Sequence, residues 1–254
     1  MPESGSLVGR AALVTGAGAG IGRAVVESLA AAGAFVGVHC HRSLDQANET
    51  LAAIKQLGGD GIVLQADLSN TDEAVRLVDE FVAAASRLDI LVNNAGSPIE
   101  RQKIEDCPID LWRRILDTNL TSAFAVTQRA IPHLRQSGHG AIVNNLSLSV
   151  QTGGANGAGP YAVAKGGLQV LTRTLARELA PNVRVNAIMP GVIETQHHEV
   201  FTTPERMEQY RRETPLGRNG TAEEVASVVR FLVSDEARFV TGALIDINGG
   251  RFLR

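Results

Sequence analysis

The sequence predicts an α/β fold in which one doubly wound parallel sheet of seven strands is flanked by helices. Three observations support this prediction. Seven short apolar segments alternate with longer segments of helical periodicity, as in parallel strands joined by crossover helices. The strand segments are apolar throughout, which is expected of strands covered on both faces. No linker or sequence repeat divides the chain, so we expect residues 1–254 to form a single domain.

Composition excludes several classes of function. The chain has 254 residues, a net charge of −3 and 44% hydrophobic residues. This charge provides no general attraction to nucleic acid or to an anionic membrane, and no apolar run approaches the ~20 residues of a membrane span. The polar N-terminus lacks the apolar core of a secretory signal, and Cys40 and Cys107 form no metal-type pair. We therefore expect a cytoplasmic protein that binds neither nucleic acid nor membrane.

The first four strands lie in the N-terminal part of the chain, and helical segments separate them. Each strand is a short apolar run that ends at small or polar residues. Gly33 and the pair Gly58-Gly59 directly follow two helical segments, as glycines at helix C-termini do. The predicted order is strand 11–15, helix 23–32, strand 34–39, helix 51–57, strand 61–65, helix 72–85 and strand 89–92.

The C-terminal part continues the alternation. Pro181 breaks one helical segment before the sixth strand. Thr221 and Glu224 have the spacing of a capping box, which predicts the start of another helix. The predicted order is helix 108–136, strand 141–145, a helix through 161–177, strand 183–188, helix 221–233 and strand 243–247.

A glycine-rich turn separates the first strand from the first helix. Gly16, Gly20 and Gly22 let the backbone approach an anion closely, and the N-terminus of the following helix directs N–H groups toward it. The spacing Gly-x-x-x-Gly-x-Gly differs from the commonest dinucleotide fingerprint, and a tight structural turn is the alternative. Because the turn joins a strand to a helix, we favour a pyrophosphate site.

The residues after the second strand bear on the cofactor. An acidic residue there binds the ribose 2′-hydroxyl of NAD, whereas an arginine attracts the 2′-phosphate of NADP. The sequence reads Cys40-His41-Arg42-Ser43, with no acid before Asp45. We therefore expect NADP(H) as the preferred cofactor, with NAD(H) possible. The alternative is that Arg42 lies on a solvated loop.

Polar residues also follow the third and fourth strands. Asp67 is placed to accept a hydrogen bond from an adenine amino group, or alternatively to serve a helix N-terminus. The run Asn93-Asn94-Ala95-Gly96 combines amides that can brace strands with small residues that let a ribose approach. Because the carboxyl ends of parallel strands meet at one edge of a sheet, we expect these residues and the glycine turn around a single crevice.

Tyr161 and Lys165 are four residues apart in a helical segment, so the two side chains should lie one turn apart on one face. A free phenol titrates near ~10, and an ammonium beside it favours the phenolate and lowers the pKa. Such a phenol can exchange a proton with a substrate. An ordinary helix with a solvated lysine is the alternative.

Asn119 lies among apolar residues of the long helix, which favours a hydrogen-bonding role.

Residues 194–214 are interpreted as a substrate lid. The segment follows a strand end, and its residues 196–214 are the least regular part of the sequence. His197, His198 and Glu199 lack the helical spacing of metal ligands, so we predict no metal site. His39 and His41 are interpreted as surface residues at a strand end.

These motifs, in this order and spacing, resemble the short-chain dehydrogenase/reductase family over nearly the whole chain. The branch indicated contains 3-oxoacyl-carrier-protein reductases and sugar or polyol dehydrogenases. The resemblance implies a Rossmann-like domain and a homotetramer. The matching residues are Thr15-Gly16-x-x-x-Gly20-Ile21-Gly22, Asp67, Asn93-Asn94-Ala95-Gly96, Asn119, Ser147, Tyr161, Lys165 and Pro190-Gly191.

The resemblance also implies a role for each site residue. Tyr161 would be the general acid or base, and Ser147 would hydrogen-bond the reacting oxygen. Lys165 would hold the nicotinamide ribose and lower the pKa of Tyr161, and Asn119 would hold a water in the proton relay. The implied cofactor-binding residues are Gly16, Gly18, Gly20, Ile21, Gly22, His41, Arg42, Ser43, Asp67, Leu68, Asn94, Ala95, Gly96, Tyr161, Lys165, Pro190, Gly191, Ile193 and Thr195.

The sequence departs from the family pattern at two points. The usual serine pair reads Leu146-Ser147, and Ser147 precedes Tyr161 by 14 residues, so Ser149 is the alternative catalytic serine. The glycine turn carries Ala17-Gly18-Ala19 where NADP enzymes of the family often have a basic residue. This second departure argues against the preference for NADP(H).

We therefore expect an NADPH-dependent carbonyl reductase that acts on a small-molecule ketone. One alternative is an NAD-dependent sugar, polyol or secondary-alcohol dehydrogenase. Another is a catalytically silent dinucleotide-binding protein on the same fold. The complete set of acid/base residues argues against a silent protein. The sequence does not identify the substrate.

Overall fold

Seven parallel strands form one sheet in the order β3-β2-β1-β4-β5-β6-β7 in a computed structural model that describes residues 6–195 and 202–253. The order reverses between β1 and β4, which is the switch point at which doubly wound sheets bind ligands. The predicted fold class is therefore confirmed. The strands are β1 Ala11–Val14, β2 Phe35–Cys40, β3 Asp60–Gln65, β4 Ile90–Asn93, β5 Gly140–Asn145, β6 Val183–Pro190 and β7 Leu244–Ile247.

Helices cover both faces of the sheet. Buried residues of α1, α2 and α9 pack on one face, and those of α3, α5 and α7 pack on the other. None of the helices in the described part of the chain is both long and apolar enough to cross a membrane. The helices are α1 Gly20–Ala31, α2 Leu44–Gln56, α3 Thr71–Ala85, α4 Ile109–Leu116, α5 Ser122–Gln136, α6 Ser149–Thr152, α7 Gly159–Glu178, α8 Pro204–Glu213 and α9 Ala222–Val233.

The apolar strands divide their side chains between the two faces. Leu13, Leu91, Ile142 and Val185 are register partners across β1, β4, β5 and β6, and all four belong to the core beneath α3, α5 and α7. The next residue of β1, Val14, belongs to the opposite core. Strands buried in this way on both faces have no polar alternation, which explains why their sequences are apolar throughout.

A row of buried polar side chains crosses the centre of the sheet. Asn93 of β4 donates from Nδ2 to Asn144 Oδ1 of β5 (2.8 Å) and to Thr127 Oγ1 of α5 (2.9 Å). Asn144 Nδ2 donates in turn to Thr172 Oγ1 of α7 (2.9 Å). Buried amides cost free energy unless they are hydrogen-bonded. The row therefore fixes the two strands and the two helices relative to one another.

The structure corrects three predicted elements. Helix α2 begins at Leu44 rather than near residue 51, because its first half buries only Ala47 and Thr50 and shows little apolar periodicity. The long helix predicted over 108–136 is interrupted by a π turn at Asp117–Thr121, where the Ser122 N–H donates to the Asp117 carbonyl. The predicted capping box at Thr221 is confirmed.

The third correction concerns the segment 196–214. Residues 196–201 lie outside the described residues, but residues 204–213 form the regular helix α8 rather than an irregular segment. The Thr203 side chain accepts from the Arg206 N–H, and Pro204 occupies the first turn, as at a normal helix start. Helix α8 buries none of its residues, so its sequence lacks the apolar period that would have predicted it.

Candidate active site

Two adjoining cavities lie at the C-terminal ends of the strands. The β2 cavity has a volume of about 860 Å³ and lies at the end of β2. The tyrosine cavity has a volume of about 340 Å³ and contains Tyr161. Gly16, Ala19, Ala95 and Gly96 line both cavities. The glycine turn and the segment after β4 therefore lie at the boundary between them.

The glycine turn is held against the end of β4 by hydrogen bonds. Asn94 Nδ2 donates to the carbonyls of Thr15 (3.0 Å) and Gly16 (2.9 Å). Thr15 Oγ1 accepts from the N–H groups of Asn94 and Ala95, each at 3.0 Å. A Cβ atom at Gly22 would lie 2.1 Å from the Gly16 carbonyl oxygen, so only glycine fits. The turn leads into the N-terminus of α1, the arrangement that binds phosphate in other proteins.

His39 is buried, which corrects its interpretation as a surface residue. The Gly16 N–H donates to His39 Nδ1 (3.0 Å), and His39 Nε2 lies 3.1 Å from the Ala66 carbonyl oxygen. The Nε2 atom must therefore carry the proton. Burial lowers the pKa of His39 to about 4, and the nearby His41 acts in the same direction. His39 is thus a neutral bridge between the glycine turn and the end of β3.

The predicted nucleotide-binding residues at the ends of β2 and β3 all line the β2 cavity: His41, Arg42, Ser43, Asp67 and Leu68. The Ser69 hydroxyl donates to Asp67 Oδ1 (2.7 Å). This bond, with smaller contributions from His41 and Arg42, lowers the pKa of Asp67. Asp67 Oδ2 lies 3.5 Å from His41 Nε2. A carboxylate and two basic side chains therefore lie together at this end of the cavity.

Tyr161 and Lys165 lie one turn apart near the start of α7, as predicted from their spacing. Lys165 Nζ is 5.7 Å from the centroid of the Tyr161 ring. The Lys165 side chain is 2% exposed, and Nζ donates to the Asn145 carbonyl at the end of β5 (2.7 Å). This bond connects α7 to β5 and holds the ammonium in the tyrosine cavity.

Burial controls the pKa values of both groups. It raises the pKa of Tyr161 to about 12, against the smaller effect of a hydrogen bond with Ser147, and it lowers the pKa of Lys165 to about 8. The pKa of Tyr161 in this structure therefore lies above its usual value, rather than below it as predicted from the nearby ammonium, because desolvation of the phenolate is the largest cause. At neutral pH the phenol is protonated, and Lys165 carries its charge in most molecules.

The two candidate serines differ in their contacts. Ser147 lies near the Tyr161 hydroxyl and acts to lower the pKa of that group, and Ser147 Oγ accepts from the Ser149 N–H (3.1 Å). Ser149 also lines the tyrosine cavity, but its buried Oγ has no hydrogen-bond partner within the described ranges. Ser147 is therefore the serine that the structure places against Tyr161.

Asn119 lies in the π turn, with its side chain directed to the segment after β4. Its Nδ2 donates to the carbonyls of Ser97 (2.7 Å) and Ile115 (2.9 Å), and its Oδ1 accepts from the Ser97 N–H (3.0 Å). A Cβ atom at Gly96 would lie 2.6 Å from Asn119 Oδ1 and 2.9 Å from Lys165 Nζ. Both amide protons are thus donated to protein carbonyls, and Asn119 orders the segment that passes beside Lys165.

The remaining predicted residues also border the crevice. Gly18 lines the β2 cavity. Several others line the tyrosine cavity: Gly20, Ile21, Gly22, Asn94, Pro190, Gly191, Ile193 and Thr195. Of the described residues of the predicted lid, Thr195 alone lines the tyrosine cavity. The lid residues Thr202, Pro204 and Met207 border a third cavity of about 890 Å³ that also contains Gly20 and Thr195.

The sequence interpretation missed several residues of the site. Thr15 was noted only as part of the glycine motif, and His39 was assigned to the surface, although both fix the glycine turn. Asn145 binds Lys165 through its backbone carbonyl, and its side-chain Nδ2 donates to Asn94 Oδ1 (2.9 Å). Arg101 lines the tyrosine cavity from the loop after β4. Thr15, His39 and Asn145 are polar residues at strand ends, and this feature could have identified them as part of the site. No feature of the sequence identifies Arg101 in this way.

No cluster of three or more His, Cys, Asp or Glu side chains suited to a metal ion occurs among residues 6–195 and 202–253. The candidate ligands His197, His198 and Glu199 lie outside these ranges.

The chain matches known proteins over almost its whole length. A family model described as enoyl-(acyl carrier protein) reductase matches residues 16–251. A 3-oxoacyl-[acyl-carrier-protein] reductase of Staphylococcus aureus is 36% identical over 249 residues, which cover 96% of this chain and 98% of the relative.

Solved structures agree with this relationship. A 7α-hydroxysteroid dehydrogenase complexed with NADH and 7-oxo glycochenodeoxycholic acid is 33% identical, with a TM-score of 0.92 and coverage of 97% of this chain and 95% of that one. A short-chain dehydrogenase from Burkholderia cenocepacia in complex with NADP is also 33% identical, with a TM-score of 0.90 and coverage of 96% and 98%. The protein is therefore an oxidoreductase of the short-chain dehydrogenase/reductase family, similar to the 3-oxoacyl-acyl-carrier-protein reductases.

Proposed function

We propose that the protein interconverts a ketone and a secondary alcohol by hydride transfer, with Tyr161 as the general acid or base. The observation that carries this proposal is that Tyr161, Ser147 and Lys165 line one cavity together with the glycine turn. In the reductive direction the carbonyl carbon gains a hydride and the carbonyl oxygen gains a proton. A bound nicotinamide dinucleotide supplies the hydride, and the Tyr161 hydroxyl supplies the proton.

The residues of the crevice fit a dinucleotide. The glycine turn and the N-terminus of α1 would hold the pyrophosphate. The β2 cavity would hold the adenosine end, and Lys165 with the segment around Gly96 would hold the nicotinamide ribose. The absence of a Cβ at Gly96 leaves room for backbone and Lys165 to approach one another. Pro190, Gly191, Ile193 and Thr195 would contact the nicotinamide end.

The acid/base residues support carbonyl reduction near neutral pH. A phenol whose pKa is raised to about 12 remains protonated and can donate to a carbonyl oxygen that gains negative charge. The Ser147 hydroxyl would donate a second hydrogen bond to that oxygen. The Lys165 ammonium, beside the Tyr161 ring, stabilises the phenolate that remains after the proton has left. Asn119 acts by ordering the backbone next to Lys165, which makes it a positioning residue.

NADPH is the proposed electron donor. Arg42, His41 and Ser43 border the β2 cavity and offer donors to a 2′-phosphate, and an arginine binds phosphate through charge-assisted hydrogen bonds. Asp67 lies nearby and attracts both basic side chains, which reduces their preference for phosphate. NADH remains the alternative cofactor, and a sugar, polyol or secondary-alcohol dehydrogenase is the corresponding alternative function.

We also propose a single domain spanning residues 1–254, a lid at 194–214 and a homotetramer. Helix α8 borders the cavity beside Gly20 and Thr195, a position from which it can cover a bound pyrophosphate. Phe124 of α5 and Val163 and Val170 of α7 are exposed apolar residues on the long helices, as expected of a subunit contact. Light scattering of the purified protein tests the tetramer.

The experiment that tests the function compares cofactor binding and turnover in the same preparations. Titration with NADPH and NADH, followed by nicotinamide fluorescence, measures affinity, and a ketone panel measures reduction. We expect Tyr161→Phe to lower kcat by about 10²- to 10⁴-fold, the usual contribution of a general acid, while the Kd for NADPH stays unchanged. Turnover by Tyr161→Phe at the wild-type rate would contradict the proposal.

The cofactor preference has its own matched pair of variants. Arg42→Ala should weaken NADPH binding and leave NADH binding unchanged. Arg230→Ala, which removes an exposed arginine from α9, should change neither. Equal or tighter binding of NADH by the wild type would exclude the role of Arg42 and favour the oxidative alternative.

A further inference from the structure

Arg101 is a basic residue of the tyrosine cavity that has no counter-ion among the described residues. It lines this cavity together with Ser149, Ala158 and Tyr161. Its buried Nε has no hydrogen-bond partner, and its guanidinium forms no ion pair with any residue in 6–195 or 202–253. A half-buried guanidinium loses hydration, and this cost is recovered only when an anion or an acceptor replaces the water. The described part of the chain provides neither, so the guanidinium is available to an anionic ligand.

The backbone holds Arg101 beside the acid/base residues. The Gln102 N–H donates to the Gly157 carbonyl (3.0 Å), which joins the loop after β4 to the loop that leads into α7. A Cβ atom at Gly157 would lie 3.1 Å from the Arg101 carbonyl carbon, and the φ angle of Gly157 is +77°, so glycine is required there. Gly157 precedes Tyr161 by four residues. The position of Arg101 is thus fixed relative to the start of α7.

The charges that line the tyrosine cavity have one sign. Arg101 and Lys165 are its basic residues, and none of its described lining residues is an aspartate or a glutamate. The neighbouring third cavity is different, since its lining includes Glu27, Glu194 and Glu208. A cavity with two cations and no carboxylate attracts an anionic ligand and disfavours a cationic one.

We propose that the substrate is an oxo acid, or the corresponding hydroxy acid, whose carboxylate binds Arg101. A planar guanidinium binds a carboxylate through two parallel hydrogen bonds, which fixes the orientation of the ligand as well as its position. The carbonyl group of the same molecule then lies between Tyr161 and Ser147. This assignment rests on the proposed function and specifies its substrate class, and Arg101 is the residue that selects the acid.

Matched pairs of ketones test the assignment. The full-length enzyme with saturating NADPH is assayed with acetoacetate and methyl acetoacetate, and with phenylglyoxylate and methyl phenylglyoxylate. Each pair shares its reacting ketone, and the carboxylate of the first member is replaced by a neutral methyl ester in the second. We expect kcat/KM to be about 10- to 100-fold higher for the acid in at least one pair, as for a hydrogen bond to a charged group.

Three variants separate recognition from structure. Arg101→Gln should abolish the preference for the acid and leave the rate with the ester within about twofold of wild type, whereas Arg101→Lys should keep part of the preference. Arg113→Gln is the control, because Arg113 is exposed on α4 and does not line the tyrosine cavity. The Kd for NADPH should be the same in all four proteins.

Five outcomes would overturn the assignment. Equal kcat/KM for acid and ester excludes recognition of the charge. A loss of activity in Arg101→Gln that is the same for both members of a pair indicates a structural role, and weaker NADPH binding indicates a contact with the cofactor. If the wild type reduces none of the four ketones yet binds NADPH, the proposed function fails together with the substrate assignment. Reduction of the esters alone refutes only the role of Arg101.

Discussion

The two cavities of the crevice differ in how completely their polar groups are paired. In the β2 cavity the glycine turn is fixed by His39, Thr15 and Asn94, and none of the lining residues carries a buried side-chain atom without a partner among the described residues. In the tyrosine cavity three such atoms occur: Arg101 Nε, Asn145 Oδ1 and Ser149 Oγ. Paired groups keep a binding surface rigid before the ligand arrives. Unpaired groups remain able to form hydrogen bonds with a ligand when it binds.

Among the variants that compare the two cavities, Ser147→Ala should have the largest effect, and Ser149→Ala is its matched partner. Ser147→Ala should lower kcat by about 10²- to 10³-fold, because it removes a donor to the reacting oxygen. Ser149→Ala should raise KM and change kcat by less than about threefold, because its Oγ makes no hydrogen bond to Tyr161 or to any other described residue. Steady-state kinetics with NADPH and one ketone measures both parameters. A larger fall of kcat in Ser149→Ala than in Ser147→Ala would reverse the assignment.

The buried His39, which holds the glycine turn at the β2 cavity, should make the stability of the protein depend on pH. Its pKa is about 4 in the folded protein and 6.5 in the unfolded chain, so the folded state binds fewer protons between these values. The free energy of unfolding should therefore decrease as pH falls from 6.5 to 4, by up to about 3 kcal/mol from this residue. Urea unfolding across this range measures the decrease.

His39→Asn should remove this part of the pH dependence. His41→Asn, a change two residues further along the chain at an exposed position, should retain it. If the free energy of unfolding falls with pH in parallel for the wild type and His39→Asn, the buried imidazole does not cause the pH dependence.

Gly22→Ala tests the close packing within the glycine turn, which lies at the boundary between the two cavities. The Cβ of Gly22→Ala would lie 2.1 Å from the Gly16 carbonyl oxygen and 2.5 Å from Asn94 Nδ2, so the turn must move. Overpacking of this kind costs about 1–3 kcal/mol, and NADPH should bind about 10- to 100-fold more weakly. Circular dichroism confirms folding, and fluorescence titration gives the Kd. Wild-type affinity in the folded variant would contradict the proposed site of the pyrophosphate.

Gly166→Ala should have the smallest effect, and it should stabilise the folded protein rather than destabilise it. It lies within α7, and a Cβ atom there would have no neighbour within 4 Å. Gly166→Ala should raise the free energy of unfolding by about 0.5–1 kcal/mol, because alanine loses less conformational entropy in a helix. Denaturant unfolding measures the gain. A decrease instead would indicate a contact that the isolated chain does not reveal, such as a subunit interface.

The sequence predicts the sheet well because burial on both faces leaves a direct signal. A strand such as Ile90–Asn93 is apolar until its last residue, and the polar residue that follows marks its C-terminal end. The spacing of Tyr161 and Lys165 likewise determines their relative position, because it depends only on the local geometry of a helix. The fold and the relative position of Tyr161 and Lys165 therefore follow from short-range patterns.

Features that depend on long-range contacts are not predictable in this way. His39 looks like any polar residue at a strand end, and only the position of the glycine turn makes it a buried bridge. Helix α8 buries no residue, so its sequence lacks an apolar period. Arg101 comes from a loop whose path depends on Gly157, which is 56 positions away in the sequence. The pKa of Tyr161 also depends on burial by the whole fold rather than on Lys165 alone.

The contact between Gln102 and Gly157 has a consequence for the divergence of such enzymes. It is made by backbone atoms alone, so the path of the loop does not depend on which side chain stands at position 101. A change at this position alters the charge of the tyrosine cavity while the glycine turn, α7 and the buried amide row stay in place. On the proposed role of Arg101, single codon changes at this position can exchange one substrate for another at little cost to folding, in natural drift and in laboratory evolution alike.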